Sequence, residues 1–216
     1  MMKLSENTLS VLKNFATIND NIVFRSGNIQ RVFADDHAIL GEAELDESFP
    51  IEFGIYEFNQ FLGNISTMND PELEFNDTFV TMEDNEGSFC FHGCPLQMIK
   101  NAPTKSLELN DPDVTFDLSN TLLTKIIKLA NVNSLPHLSI IGEDGKLLLK
   151  AHQRGNDTSN KLAIEIGKID KDFIATIKTE NLKVIPDDYE IQVKVGAFTK
   201  FTSKSKKITY FIALIK

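Results

Sequence analysis

A chain of 216 residues can form one large domain or two modest ones, each big enough to bury a core. Its 42% hydrophobic and 25% charged content is ordinary for a soluble globular protein, and its longest apolar run, Tyr210 to Ile215, is far too short to span a bilayer. The net charge of −9 is unevenly spread: residues 1–106 hold 6 basic and 17 acidic residues, a net of −11, whereas residues 107–216 hold 16 and 14, a net of +2. An acidic half and a mildly basic half suit docking within or between subunits, although drifting surface charge gives the same numbers.

MMKLSEN lacks the apolar stretch of a secretion signal, so a cytoplasmic protein is expected. Next, LSENTLSVLKNFATIND (4–20) is predicted to be a helix with Ser5 as its N-cap. Leu4, Leu9, Val11, Leu12, Phe15, Ala16 and Ile18 cover one side, and Glu6, Asn7, Ser10, Lys13, Asn14 and Thr17 the other. NIVFRSGNIQRVFAD (21–35) reads as two strands around Ser26-Gly27-Asn28. Residues 49–75 read as a strand, a short helical segment, an acidic turn and a strand; 78–91 read as a hairpin.

CPLQMIKNAPTKSLELNDP (94–112), with three of the seven prolines, is the natural linker, and then the opening is spelled again. LSNTLLTKIIKLANVNS (118–134) is predicted to be a second amphipathic helix, apolar along Leu122, Leu123, Ile126, Ile127, Leu129 and Ala130. Its polar side, with Asn120, Thr121, Thr124, Lys125, Lys128 and Asn131, has no acidic residue. LSIIGEDGKLLLKAHQ (138–153) signals a hairpin at Asp144-Gly145. Residues 173–193 repeat the order of 49–75, and 197–215 close the chain as another hairpin. Two similar strand-rich units with few helices give an α+β class with mostly antiparallel sheets, divided as 1–94, a linker 95–112, and 113–216.

MKLSENTLSVLKNFATIN (2–19) and IYEFNQFLGNISTMND (55–70) resemble the first and second helices of a known family, the sliding clamps, or DNA polymerase processivity factors, of large contractile-tailed bacteriophages. The resemblance implies clamp-type domains assembled head to tail as a homotrimeric ring, with antiparallel sheets outside and two helices per domain lining a central channel for duplex DNA. It also implies loading by a clamp loader, tethering of the replicative DNA polymerase, support of late transcription, and work in the cytoplasm of the infected host. A ring that slides needs weak, sequence-independent attraction to phosphate. The four expected wall segments, 3–19, 56–67, 119–135 and 178–185, carry +1, −1, +2 and +1, leaving −12 for the rest. Lys13, Lys125 and Lys128 are the first candidates for DNA contact, and Lys3, Lys178 and Lys183 the second, although each is equally readable as a solvated cation. Ring closure is expected to set acidic first-domain surface against a basic second-domain edge such as Lys200, Lys204, Lys206 and Lys207. Partners of the family insert hydrophobic peptide tails into a pocket; Leu96, Met98 and Ile99 are candidates for it, or for packing of the domain junction.

No catalytic constellation stands out, so no enzyme activity, cofactor or membrane partner is expected. Cys90, His92 and Cys94 alternate along one strand face but lack a fourth zinc ligand, which favours buried thiols beside a turn. GEDGK (142–146) lacks phosphate-loop spacing, and Asp35-Asp36-His37 reads as a solvated loop. The alternative to a clamp is a non-catalytic, β-rich phage structural or scaffold protein that oligomerises without encircling DNA.

Overall fold

Helix α1 (Glu6–Ile18) begins where the Ser5 hydroxyl accepts a hydrogen bond from the Thr8 amide at 3.1 Å. In this computed structural model, which describes residues 1–156 and 158–215, the chain divides into two units between Ser106 and Leu107. The first continues with β1 (Ile22–Phe24), β2 (Gly27–Phe33), β3 (Ile39–Phe49), β4 (Phe53–Ile55), α2 (Phe58–Thr67), β5 (Glu72–Phe75), β6 (Phe79–Glu83) and β7 (Ser88–His92). All its pairings are antiparallel: β1 with β4, β2 with β3, and β5, β6 and β7 in sequence order. Met2 exchanges two backbone hydrogen bonds with Leu73 on β5, at 2.9 and 2.7 Å.

The two strands expected in 21–35 are present, but they do not pair with each other. Between them the amide of Gln30, fully buried, stands in for a ladder. Its Oε1 accepts from the Arg25 amide at 2.8 Å, and its Nε2 donates to the carbonyls of Arg25 and Gly27 at 2.8 and 2.9 Å. Phenylalanine fills the core of this unit. Phe24 stacks on Phe49 with ring centroids 4.3 Å apart and meets Phe58, Phe61 and Phe75 edge-on, while Phe61 meets Phe91 at 5.2 Å. Phe15 of α1 lies so close to β3 that a β-carbon on Gly41 would stand 2.9 Å from its ring.

In the second unit come β8 (Val114–Leu118), α3 (Asn120–Val132), β9 (His137–Glu143), β10 (Lys146–His152), β11 (Leu162–Lys168), β12 (Phe173–Lys178), β13 (Tyr189–Lys194), β14 (Phe198–Ser203) and β15 (Ile208–Ala213). One antiparallel sheet has the order β11-β10-β9-β12; β8, β13, β14 and β15 lie side by side in that order. The hairpin at Asp144-Gly145 is present, with φ of 52° and 75° at its two turn residues, as a type I′ turn requires. Burial raises the pKa values of Tyr189 and Tyr210, so both stay neutral and pin one loop: Tyr189 donates to the Ile185 carbonyl, and Tyr210 accepts from the Ile185 amide.

The repeat read from the two helices extends to the whole element order. Each unit runs helix, four strands, helical segment, three strands, preceded in the second by β8. One departure corrects the expectation of a fourth wall helix. Residues 178–185 hold only a single 3-10 turn, Thr179–Asn181. Val184 and Ile185 are β-branched, Pro186 pushes Ile185 out of the helical region, and the Thr179 hydroxyl is bound to the Leu135 carbonyl at 2.9 Å.

Candidate nucleic-acid interface

α1 and α3 are each tied at the N-terminus by a carboxylate from elsewhere in the unit, which also suits the positive end of the helix. Asp46 accepts from the Ser5 hydroxyl at 2.7 Å and from Asn7 at 3.2 Å; Asp188 accepts from the Asn120 amide at 2.7 Å. α1 then buries Val11, Leu12, Phe15, Ala16 and Ile18 and leaves Glu6, Ser10, Lys13 and Thr17 outside. α3 buries Leu123, Ile126 and Ala130; Leu122, Ile127 and Leu129 are half-buried, so its dry side is narrower than its sequence suggests. Its exposed residues are Thr121, Lys125, Lys128, Asn131 and Val132. α2 exposes Asn59, Gln60, Ser66 and Thr67 and carries no charge.

The candidate lysines fall into three settings. Lys125 and Lys128 are exposed one turn apart on α3, and Lys13 is exposed on α1 beside a 270 Å³ cleft that Leu9, Leu62, Ile65 and Met68 help to line. Lys3 and Lys178 are exposed but paired. Lys3 lies 2.6 Å from Asp70 and Lys178 lies 3.1 Å from Glu180. The Asp70 hydrogen bond raises the pKa of Lys3, whose surroundings include Glu72, Glu83 and Asp84 in a bowl of about 590 Å³. Asp84 in that bowl is held as the anion by the amides of Asn69, Glu86 and Gly87. Lys183 is exposed just beyond the 3-10 turn. The Glu180 partner stands two residues from Lys178 in the sequence, whereas Asp70 is 67 positions from Lys3 and had no local signal.

The three linker candidates separate. Met98 is 61% exposed and Leu96 half-buried on a 3-10 turn, Leu96–Met98, whereas Ile99, at 7%, belongs to the core of the first unit. The thiols also differ from expectation. Cys90 is exposed, with its Sγ 3.9 Å from His92 Nε2, and Cys94 is half-buried, its pKa raised by burial. Among the described residues, no three metal-binding side chains converge, and no helix is long and apolar enough to cross a membrane.

Lys200, Lys204, Lys206 and Lys207 do not form an edge. β14 lies between β13 and β15, and the other three stand in the turn that follows it, where Lys204 lies 2.6 Å from Asp117. Among the terminal strands of the sheets are β7, beside β6, and β11, beside β10, neither of which has a strand on its far side among the described residues. β7 follows a turn bearing Asp84 and Glu86, and β11 is flanked by Lys161 and Lys168. Phe89 on β7 is 44% exposed and, with Tyr56 at 54%, lines a cleft of about 290 Å³.

Residues 3–82 match the family model described as DNA polymerase processivity factor. The chain is 28% identical over 220 residues to the sliding clamp of Vibrio phage KVP40, covering 98% of each, and 25% identical over 224 residues to that of Enterobacteria phage T4, covering 99% of this chain and 96% of that one. Among solved structures it superposes on PCNA of A. fulgidus, determined with the C-terminal region of FEN-1 bound, at TM-score 0.71 and 12% identity, with 99% and 97% of the two chains covered. For the β clamp of Helicobacter pylori bound to a DNA ligase peptide the TM-score is 0.68 at 18% identity, with all of this chain and 67% of that one covered. The resemblance carried by two helices therefore extends over the whole chain: it is similar from end to end to the sliding clamps of phages, and its fold is that of a sliding clamp.

Proposed function

We propose that this protein is a DNA sliding clamp: a non-catalytic ring that encircles duplex DNA and tethers the replicative polymerase to it. The observation that carries the reading is the duplicated, capped helix whose second copy exposes Lys125 and Lys128 with no acidic residue, in a chain of net charge −9. A surface that must attract phosphate without gripping one position needs a few cations among uncharged polar groups, as on α1 and α3, with α2 polar and uncharged. Lys13, Lys125 and Lys128 are the principal contacts in this reading and Lys183 a secondary one. Lys3 and Lys178 contribute less because Asp70 and Glu180 already offset their charge.

The ring forms head to tail, by antiparallel addition of β7 in one copy to β11 in the next, and three copies close it. Two unpaired strand edges support this, as does their charge: antiparallel pairing brings the Asp84–Glu86 turn to the end of β11 that carries Lys168. Partners dock hydrophobic tails against Leu96 and Met98; the polymerase and clamp loader are the first of these, and late-transcription factors use the same surface. Ile99 supports the turn from the core.

The test is the triple variant K13Q/K125Q/K128Q, in primer extension on circular primed DNA with loader and polymerase across a salt series. Each lost phosphate contact lowers the dependence of log affinity on log salt by about 0.9. Shorter products and a flatter salt response, with unchanged solution mass, are expected. Equal product lengths at every salt concentration would contradict the assignment.

A further inference from the structure

From Pro95 to Asp113 the chain contains a 3-10 turn but no strand, yet up to Ser106 it is held firmly on the first unit. The Cys94 amide donates to the Gly54 carbonyl at 2.9 Å, Ile99 is buried, and Lys100 donates to the Asp35 carbonyl at 2.8 Å. Two arginines take over from there. Arg25 donates to the Ala102 carbonyl at 3.0 Å and pairs with Glu52 at 3.3 Å. Arg31, only 8% exposed, donates to the Thr104 carbonyl and to the Ser106 hydroxyl, each at 3.0 Å, and pairs through Nε with Glu42. The other oxygen of Glu42 accepts from Ser106 at 3.0 Å.

The groups captured belong to residues 102, 104 and 106, on either side of a bend at Thr104 and Lys105. Arginine suits this task because its donors form a rigid planar fork that cannot lose its charge, whereas lysine offers a flexible point charge. A buried guanidinium is tolerated when its donors are matched, and here the matching needs strand β3 and the connector together. Arg31 is therefore satisfied when residues 104–106 are seated.

We infer that Arg31, supported by Arg25, is the positioning residue of this connector, holding residues 102–106 in one path so that the adjacent turn, Leu96–Met98, is presented in a single arrangement. Its functional consequence rests on the reading of that turn as the docking surface; the pinning itself stands on the contacts above. A partner that meets an already ordered surface does not bear the cost of ordering it.

The experiment is limited trypsin cleavage after Lys105 on the intact protein, paired with polymerase stimulation, for R31Q, R31K, R25Q and M98A. R31Q is expected to speed that cleavage about tenfold, the scale of one lost charge-assisted hydrogen bond, while cleavage after Lys13 on α1 is unchanged. R31K should fall between it and the parent, R25Q should raise the cleavage less than R31Q, and polymerase stimulation should drop in step with the loosening. Unchanged cleavage after Lys105 would overturn the inference, as would an equal rise after Lys13. So would a local rise that leaves stimulation intact in R31Q while M98A lowers it. If M98A and R31Q both leave stimulation intact, the docking reading fails, and the pinning is judged by cleavage in R31Q and R25Q.

Discussion

At the scale of single residues, the structure separates charges that look alike in the sequence. Lys3 and Lys125 are both lysines on or beside an amphipathic helix, but Lys3 donates to Asp70 at 2.6 Å in an acidic bowl while Lys125 faces outward on an acid-free surface. Replacing Lys3 with Gln should therefore change the salt dependence of DNA association less than Lys125→Gln, which should flatten it; equal effects from the two, measured by fluorescence titration across salt, would contradict the distinction. Gln30 is the other decisive side chain. A Gln30→Leu change keeps the volume but orphans the Arg25 amide and two carbonyls in a fully buried position. Each such group costs roughly 1–3 kcal/mol. Denaturant unfolding of the first unit is expected to show a loss of at least about 2 kcal/mol, and a change below about 0.5 kcal/mol would mean that water or a shifted strand replaces the amide.

Among elements, the two capped helices can be compared directly. Ser5 and Ser119 each accept from an amide three residues on, at 3.1 and 3.4 Å, but Ser5 also donates to Asp46 and its own amide donates to Glu47 at 2.7 Å. Losing an N-cap costs about 1 kcal/mol, so Ser119→Ala should cost near that and Ser5→Ala distinctly more, as thermal unfolding would register. Equal losses would show that the Asp46 contact contributes nothing. The caps, the 3.6-residue periodicity and the Asp-Gly turn were legible because each depends on residues a few positions apart. β3 and β11 were not anticipated. β3 alternates buried Ala43 and Leu45 with half-buried Glu42 and exposed Glu44 and Asp46, a pattern that reads as an acidic loop until its partner strand is known. β11 is an outer strand whose Leu162, Ile164 and Ile166 are only half-buried. The 3-10 turn at Thr179–Asn181 was overestimated as a helical wall because likeness of order to 56–67 outweighed Pro186. The arginine grip on residues 102–106 had no local signature, since its partners lie more than 70 positions apart.

For the whole molecule, the acidic total and the acid-free α3 are two sides of one requirement: a protein that surrounds a polyanion keeps its own negative charge away from it. The order of helix, four strands, helical segment and three strands occurs twice in each chain, and in the proposed ring the edges of β7 and β11 would form the seam between chains. A protein that holds DNA by enclosure has no need of tight contacts, because the closed path alone prevents escape sideways. The most direct measurement follows from this. The protein is loaded onto nicked circular DNA with a clamp loader, the DNA is isolated by gel filtration, and half is then cut once with a restriction enzyme. Retention on the circle and rapid loss from the linear form are predicted, at three chains per ring by mass; equal retention on both forms would contradict enclosure.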